Sequence, residues 1–156
     1  MGPDEFARRT EDLRGKLYKT AYLYMENQQD AMDVLDEAVF KALCALKQLK
    51  QPEYFDTWVT RILINECYTE LRRRARFHPQ EAFPDCAVEP YDYLPLREAI
   101  HRLPSELKDI IILRYFSGFT LAESARMLDI PQGTAATRQR KALKLLRLEL
   151  DEEVEP

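Results

Sequence analysis

Between Ile130 and Glu149 the chain carries Arg138, Arg140, Lys141, Lys144 and Arg147 and not a single acid. Five uncompensated cations within ten positions suit one task, the neutralisation of phosphates. An ordinary solvated helix interleaves Glu with Lys at i,i+4, and this stretch does not. Thr134 and Thr137 add short hydroxyl groups at one end of the same segment. A second cluster, "LRRRAR" at 71–76, is open to two readings, since basic residues also suit a helix C-terminus.

Covalent chemistry finds no support. There is no glycine-rich phosphate loop and no nucleophile, base and acid at triad spacing, and His78 and His101 have no partners at metal-ligand spacing. Cys44, Cys67 and Cys86 are odd in number and show no C-x-x-C pair, which points to reduced thiols rather than disulfides or zinc. The expectation is a binding protein, with no catalytic residue, metal or cofactor. Its start, "MGPDEFARRT", is charged, and apolar runs such as Ile110–Leu113 are far too short to span a bilayer, so export and membrane insertion are not expected.

The elements that must position these charges emerge from the charge map. The whole chain of 156 residues is acidic, 23 Lys and Arg against 27 Asp and Glu, yet the imbalance is local. Residues 1–76 balance at 13 and 13. Residues 77–94 hold four acids, three prolines and no Lys or Arg, which reads as an extended connector. Residues 95–156 balance at ten and ten, but five of those acids fall in the last eight positions. Gly is scarce and strong helix formers dominate, so the fold class is all-α: two small helical domains joined by an extended linker. The boundaries are 6–76, a linker at 77–94, 95–150, and an acidic tail at 151–156.

Within the first domain, Leu13, Leu17, Ala21 and Tyr24 repeat at helical spacing, and "ENQQD" breaks the pattern before a second helix over about 30–49. A third helix over 55–76 is expected to bury Trp58, Ile62, Asn65 or Cys67, and Leu71. Within the second, "LREAIHRL" predicts a short helix, Pro104 suits the first turn of the next, and Gly118 ends it. Thr120 and Glu123 form a capping box, Asp129 takes a left-handed turn position, and Pro131 reopens the chain into the basic helix. Helix, four-residue turn, helix is the pattern that lays its second helix in the DNA major groove. Helical hairpins also serve as plain packing units, and the charge distribution favours DNA.

At this point the whole chain resembles the extracytoplasmic-function (ECF) RNA polymerase sigma factors of the sigma-70 family, bacterial subunits that direct polymerase to promoters. Three stretches carry the likeness in order. "DAMDVLDEAVFKAL" (30–43) resembles the polymerase-binding helix, with Asp33, Asp36 and Glu37 facing the clamp; dipole compensation explains the same acids. "FDTWVTRILINECYTELRRRAR" (55–76) is similar to the helix that melts and reads the minus-10 element, implying roles for Arg61, Asn65, Arg72 and Arg73. The turn at 47–54, with Lys47, Lys50 and Tyr54, stands where the family captures unstacked bases; a plain interhelical loop is the other reading. Trp58 falls on the apolar period and reads as core rather than as a DNA wedge.

"LPSELKDIIILRYFSGFTLAESARMLDIPQGTAATRQRKAL" (103–143) resembles the domain that reads the minus-35 element, implying contacts from Thr134, Thr137, Arg138, Arg140, Lys141 and, farther along, Lys144. The implied partners are core RNA polymerase, promoter DNA and an anti-sigma factor, in the cytoplasm. Asp36 replaces a usual Gln, Thr69 a frequent Asp, and Asp129 the turn Gly. Ala136 stands where a DNA-contacting lysine is common, which implies weakened or shifted minus-35 binding, with Arg140 supplying a contact from a variable position. Two other readings stay open: a helix-turn-helix regulator that binds DNA without polymerase, and a protein-interaction module.

Overall fold

The structure, a computed structural model, describes residues 1–77 and 94–154, and side chains for residues 1–77 and 95–147. Most of the expected connector, with His78 and Cys86, lies outside the described residues. The chain divides into two compact units, Met1–Ala87 and Val88–Pro156. The described residues form helices and turns without a strand.

The first unit packs three long helices, α1 (Pro3–Met25), α2 (Gln28–Cys44) and α3 (Phe55–Phe77). Pro3 opens α1, where its missing N–H costs nothing, and Asp4 and Glu5 answer the helix dipole. Glu26 ends α1 at φ 63°, donating its N–H to the Tyr22 carbonyl at 2.8 Å. Asn27 then caps α2, its side-chain oxygen accepting from the Asp30 N–H at 2.8 Å. Leu17, Ala21 and Tyr24 of α1, Val34, Leu35 and Ala38 of α2, and Phe55, Val59, Leu63 and Cys67 of α3 make the core. Truncating such a side chain as Phe55 to Ala costs about 3–5 kcal/mol in well-packed interiors.

Two expectations for this unit need correction. The second helix stops at Cys44 rather than near residue 49, and a 3₁₀ turn, Leu46–Gln48, follows it. The buried stripe of α3 is Phe55, Val59, Thr60, Leu63, Ile64 and Cys67; Trp58, Ile62 and Leu71 are half-buried and Asn65 is exposed. Both α1 and α2 pack on α3, so its buried face is centred between them. Trp58 and Ile62 fall at the margin of that face.

The second unit holds α4 (Leu94–Arg102), α5 (Ser105–Ile111), a π-helical turn at Ile112–Phe116, α6 (Leu121–Met127) and α7 (Gln132–Val154). Pro104 is the residue before α5 rather than in its first turn, its carbonyl accepting from both Leu107 and Lys108 at 2.9 Å. The π turn is closed by the Ser117 N–H on the Ile112 carbonyl at 2.9 Å, and Gly118 at φ 79° breaks the helix. Thr120 and Glu123 cap α6 reciprocally at 3.1 and 3.0 Å. At its other end Asp129, at φ 58°, donates to the Arg126 carbonyl at 3.2 Å, and Ile130 donates to the Ala125 carbonyl at 3.0 Å. Those paired bonds are a Schellman closure, with Ile130 packed on Ala125, Ala135 and Ile110 beneath it. Four residues therefore turn the chain from α6 into α7, as the spacing predicts.

Candidate nucleic-acid interface

One face of α7 is structural. Ala135, Ala142 and Leu146 are buried, and α7 packs on α4, α5 and α6 along it. The opposite face holds Thr137, Arg140, Lys141, Lys144 and Arg147, all exposed, with Thr134 and Arg138 half-buried at its edge. Five of the six expected side chains, Thr134, Thr137, Arg138, Arg140 and Lys141, thus gather on the first three turns, and Lys144 follows a turn later. Thr137 donates its hydroxyl to the Gly133 carbonyl at 3.0 Å and accepts from Arg140 Nη2 at 3.4 Å. That weak contact leans the Arg140 guanidinium toward Thr137, one turn back along the helix. Arg138 lies 3.8 Å from the Glu106 carboxylate of α5, so it is already matched. Glu106 and Leu107 line an open cleft together with Gly133, Thr134, Thr137, Arg138 and Lys141.

Arg114, in the π turn, locks α7 in place. Its Nε donates to Gln139 Oε1 at 3.0 Å and its Nη1 to the Phe119 carbonyl at 2.9 Å. Sequence reasoning missed both Arg114 and Glu106, because each acts on a partner across the fold; only the lack of acids on α7 itself signals that its cations look elsewhere.

In the first unit the candidate residues divide between two faces of α3. Arg61, Asn65 and Arg72 are exposed at i, i+4 and i+11, which places them on one side of the helix. Arg73 is turned away from them. Its Nε and Nη2 hold the Glu70 carboxylate at 3.0 and 2.6 Å, and it lines a cleft between α2 and α3 with Asp30, Asp33, Glu37, Glu66 and Glu70. The Arg73 guanidinium holds the Glu70 carboxyl below its usual range. Arg73 therefore belongs with the acidic cleft rather than with Arg61 and Arg72. Arg74 pairs with Asp30, and Lys41 donates to Glu66 at 2.6 Å, which raises the lysine above its ordinary value. Asp33 and Glu37 share this cleft, whereas Asp36 is exposed and lies 3.7 Å from Arg14 of α1. Met32, Phe40 and Leu43 add exposed apolar surface to α2. Lys50 is exposed in the segment between the 3₁₀ turn and α3.

Comparison with known proteins matches both units. The family described as Sigma-70 region 2 fits residues 10–77, and Sigma-70, region 4 fits residues 99–148. Over 147 residues the chain is 32% identical to RNA polymerase sigma factor SigV of Bacillus subtilis (strain 168), covering 91% of this chain and 89% of that one. It is 29% identical over 140 residues to ECF RNA polymerase sigma factor SigM of Mycobacterium tuberculosis (strain ATCC 25618 / H37Rv), with 85% and 71% covered. The chain belongs to the ECF sigma factors of the sigma-70 family. Sigma factors are initiation subunits without enzymatic activity of their own. The fold agrees: the sigma factor RpoE of Bartonella quintana, solved with the anti-sigma factor NepR, superposes at a TM-score of 0.81 and 22% identity, covering 97% of this chain and 99% of that one. CnrH, solved with the cytosolic domain of CnrY, gives 0.75 at 20% identity, with 97% and 90% covered. Among the described residues of this sigma factor no helix is long and apolar enough to cross a membrane.

Proposed function

We propose that this sigma factor divides promoter recognition between its two units in the cytoplasm, with α2 holding core RNA polymerase, α3 and the segment before it taking the minus-10 element, and α7 reading minus-35. The observation that carries this reading is the split character of α7: alanines inward, and outward a run of cations without an acid. Phosphates meet Lys144 and Arg147 while base edges meet Thr137, Arg140 and Lys141 nearer the helix start. Thr134 and Arg138 flank that reading surface.

On α3, the shared face of Arg61, Asn65 and Arg72 tracks the single strand, and Lys50 and Tyr54 offer charge and an aromatic face for captured bases. Arg73 supports the acidic cleft instead of DNA. Asp33 and Glu37 in that cleft, and Asp36 beside it, meet basic groups of the polymerase clamp, flanked by the apolar surface of Met32, Phe40 and Leu43. An anti-sigma partner, of the kind solved with the Bartonella protein, completes the set of proposed partners.

The test is reconstitution. Purified chain mixed with core polymerase should form a holoenzyme that starts transcription at a restricted promoter set. Asp36→Lys combined with Glu37→Lys should weaken assembly while leaving the fold intact. Failure of the wild-type chain to bind core overturns the proposal, and undiminished assembly of the double variant returns those acids to compensation of the helix dipole.

A further inference from the structure

The segment Leu49–Gln51 belongs to no helix, and Pro52–Tyr54 forms a single 3₁₀ turn closed by the Tyr54 N–H on the Gln51 carbonyl at 3.1 Å. A short exposed segment of this kind needs an outside hold to keep one shape. It has one in α1. Arg9 Nη1 donates to the Pro52 carbonyl at 2.7 Å across 43 residues of sequence, and its Nη2 lies 3.8 Å from Asp56. The same guanidinium sits 4.9 Å from the centroid of the Phe55 ring. That ring is fully buried and meets Phe6 edge-on at 5.7 Å, so the surface under the cation is rigid. Glu5, at 3.9 Å, braces Arg9 from its own helix. The Arg9 side chain is only 25% exposed.

We infer that Arg9 is a positioning residue for strand capture: its planar fork fixes the Pro52 backbone and the first turn of α3, and thereby aims Lys50 and Tyr54. The inference rests on the proposed role of residues 47–54 at the minus-10 element. A carbonyl, a ring face and a carboxylate are engaged by one flat group, an arrangement that an ammonium cannot reproduce. Without it the segment is ordered only when DNA binds, and that ordering cost falls on the capture step. Polymerase assembly through α2 and minus-35 reading through α7 draw on other residues.

The experiment compares wild type, Arg9→Ala, Arg9→Lys, Lys50→Ala and Tyr54→Ala, each as holoenzyme with core polymerase. The probes are a single-stranded oligonucleotide bearing the non-template minus-10 sequence of a promoter that the wild type transcribes, its single-base variants, and the duplex promoter followed by permanganate reactivity. Arg9→Ala should lose about three- to tenfold in discrimination between matched and altered minus-10 strands, and open the duplex more slowly. Core affinity and minus-35 dependence should stay at wild-type values, and Arg9→Lys should fall between.

If Lys50→Ala and Tyr54→Ala lose discrimination while Arg9→Ala keeps it, the segment captures bases without help from Arg9 and the inference is wrong. If Arg9→Ala weakens core binding and minus-35 dependence in the same proportion, its role is general stability and the inference is equally wrong. If Lys50→Ala and Tyr54→Ala both leave discrimination unchanged, the capture reading fails and takes the inference with it. Should Arg9→Ala not fold, Arg9→Lys decides on the same readouts.

Discussion

Arg138 is already paired with Glu106 in the free chain, and Glu106→Gln tests what that pairing costs the proposed promoter contact. The pair is 3.8 Å apart, with Glu106 72% and Arg138 26% exposed. Coulomb attraction at that distance in water is about 1 kcal/mol, and exposed pairs deliver about 0.2–1 kcal/mol once side-chain entropy and screening are counted. For Arg138 to meet a phosphate this contact must be given up, and a carboxylate left beside the backbone repels it further. Removing the charge should therefore tighten binding to promoters about two- to fivefold, the upper part of the range reflecting the second effect. The assay is holoenzyme affinity for promoter fragments from low to physiological salt. The gain should shrink as the screening length contracts from about 30 Å at 0.01 M to about 8 Å at 0.15 M. Unchanged or weaker binding at low salt would refute the reasoning, because Glu106 would then be aiming Arg138 rather than holding it back.

On the outer face of α7, Arg140→Ala should cost about 1–3 kcal/mol and relax preference at particular minus-35 bases, whereas Lys144→Ala should weaken all sequences alike and lower the salt slope by about one. An equal loss across a panel of minus-35 variants would show that Arg140 does not read bases. Thr120→Ala removes the cap of α6 and should cost about 1 kcal/mol, read as a lower midpoint in denaturant with unchanged slope. Burial pushes the Cys67 thiol from its ordinary 9.0 to about 12, so between those values the unfolded chain releases a proton that the folded chain keeps. Stability from this group is whole below pH 9 and is lost as pH rises from 9 toward 12; Cys67→Ala, after its offset at neutral pH, should decline less steeply across that window.

Local signals carried the second unit. The capping box at Thr120 and Glu123, the left-handed Gly118 and Asp129, and the turn into α7 each depend on residues within a few positions of one another, so spacing alone reveals them. The first unit was less legible where two helices share a third. The phase of α3 follows from where α1 and α2 press on it, and Trp58 and Ile62, apolar but marginal, obscured the true stripe. The end of α2 at Cys44 carries no Gly or Pro to announce it. Arg73 looked equivalent to Arg72 in the run of arginines, and only a helix rotation of 100° separates the exposed side that carries Arg61, Asn65 and Arg72 from the acidic cleft. Arg9 and Arg114 could not be read at all from sequence pattern, since both reach partners brought near by folding.

The two alanines on the inner face of α7 bear on how this protein changes over generations. Ala135 and Ala142 are fully covered where α7 rests on its neighbours, while Thr137, Arg140, Lys141 and Lys144 are exposed. With the outer side chains reading promoters as proposed, selection for folding and selection for target act largely on separate letters of one helix. On that proposal a duplicated gene can drift at the exposed outer positions toward new promoters at little cost in stability, so divergence of regulons need not pass through an unstable intermediate.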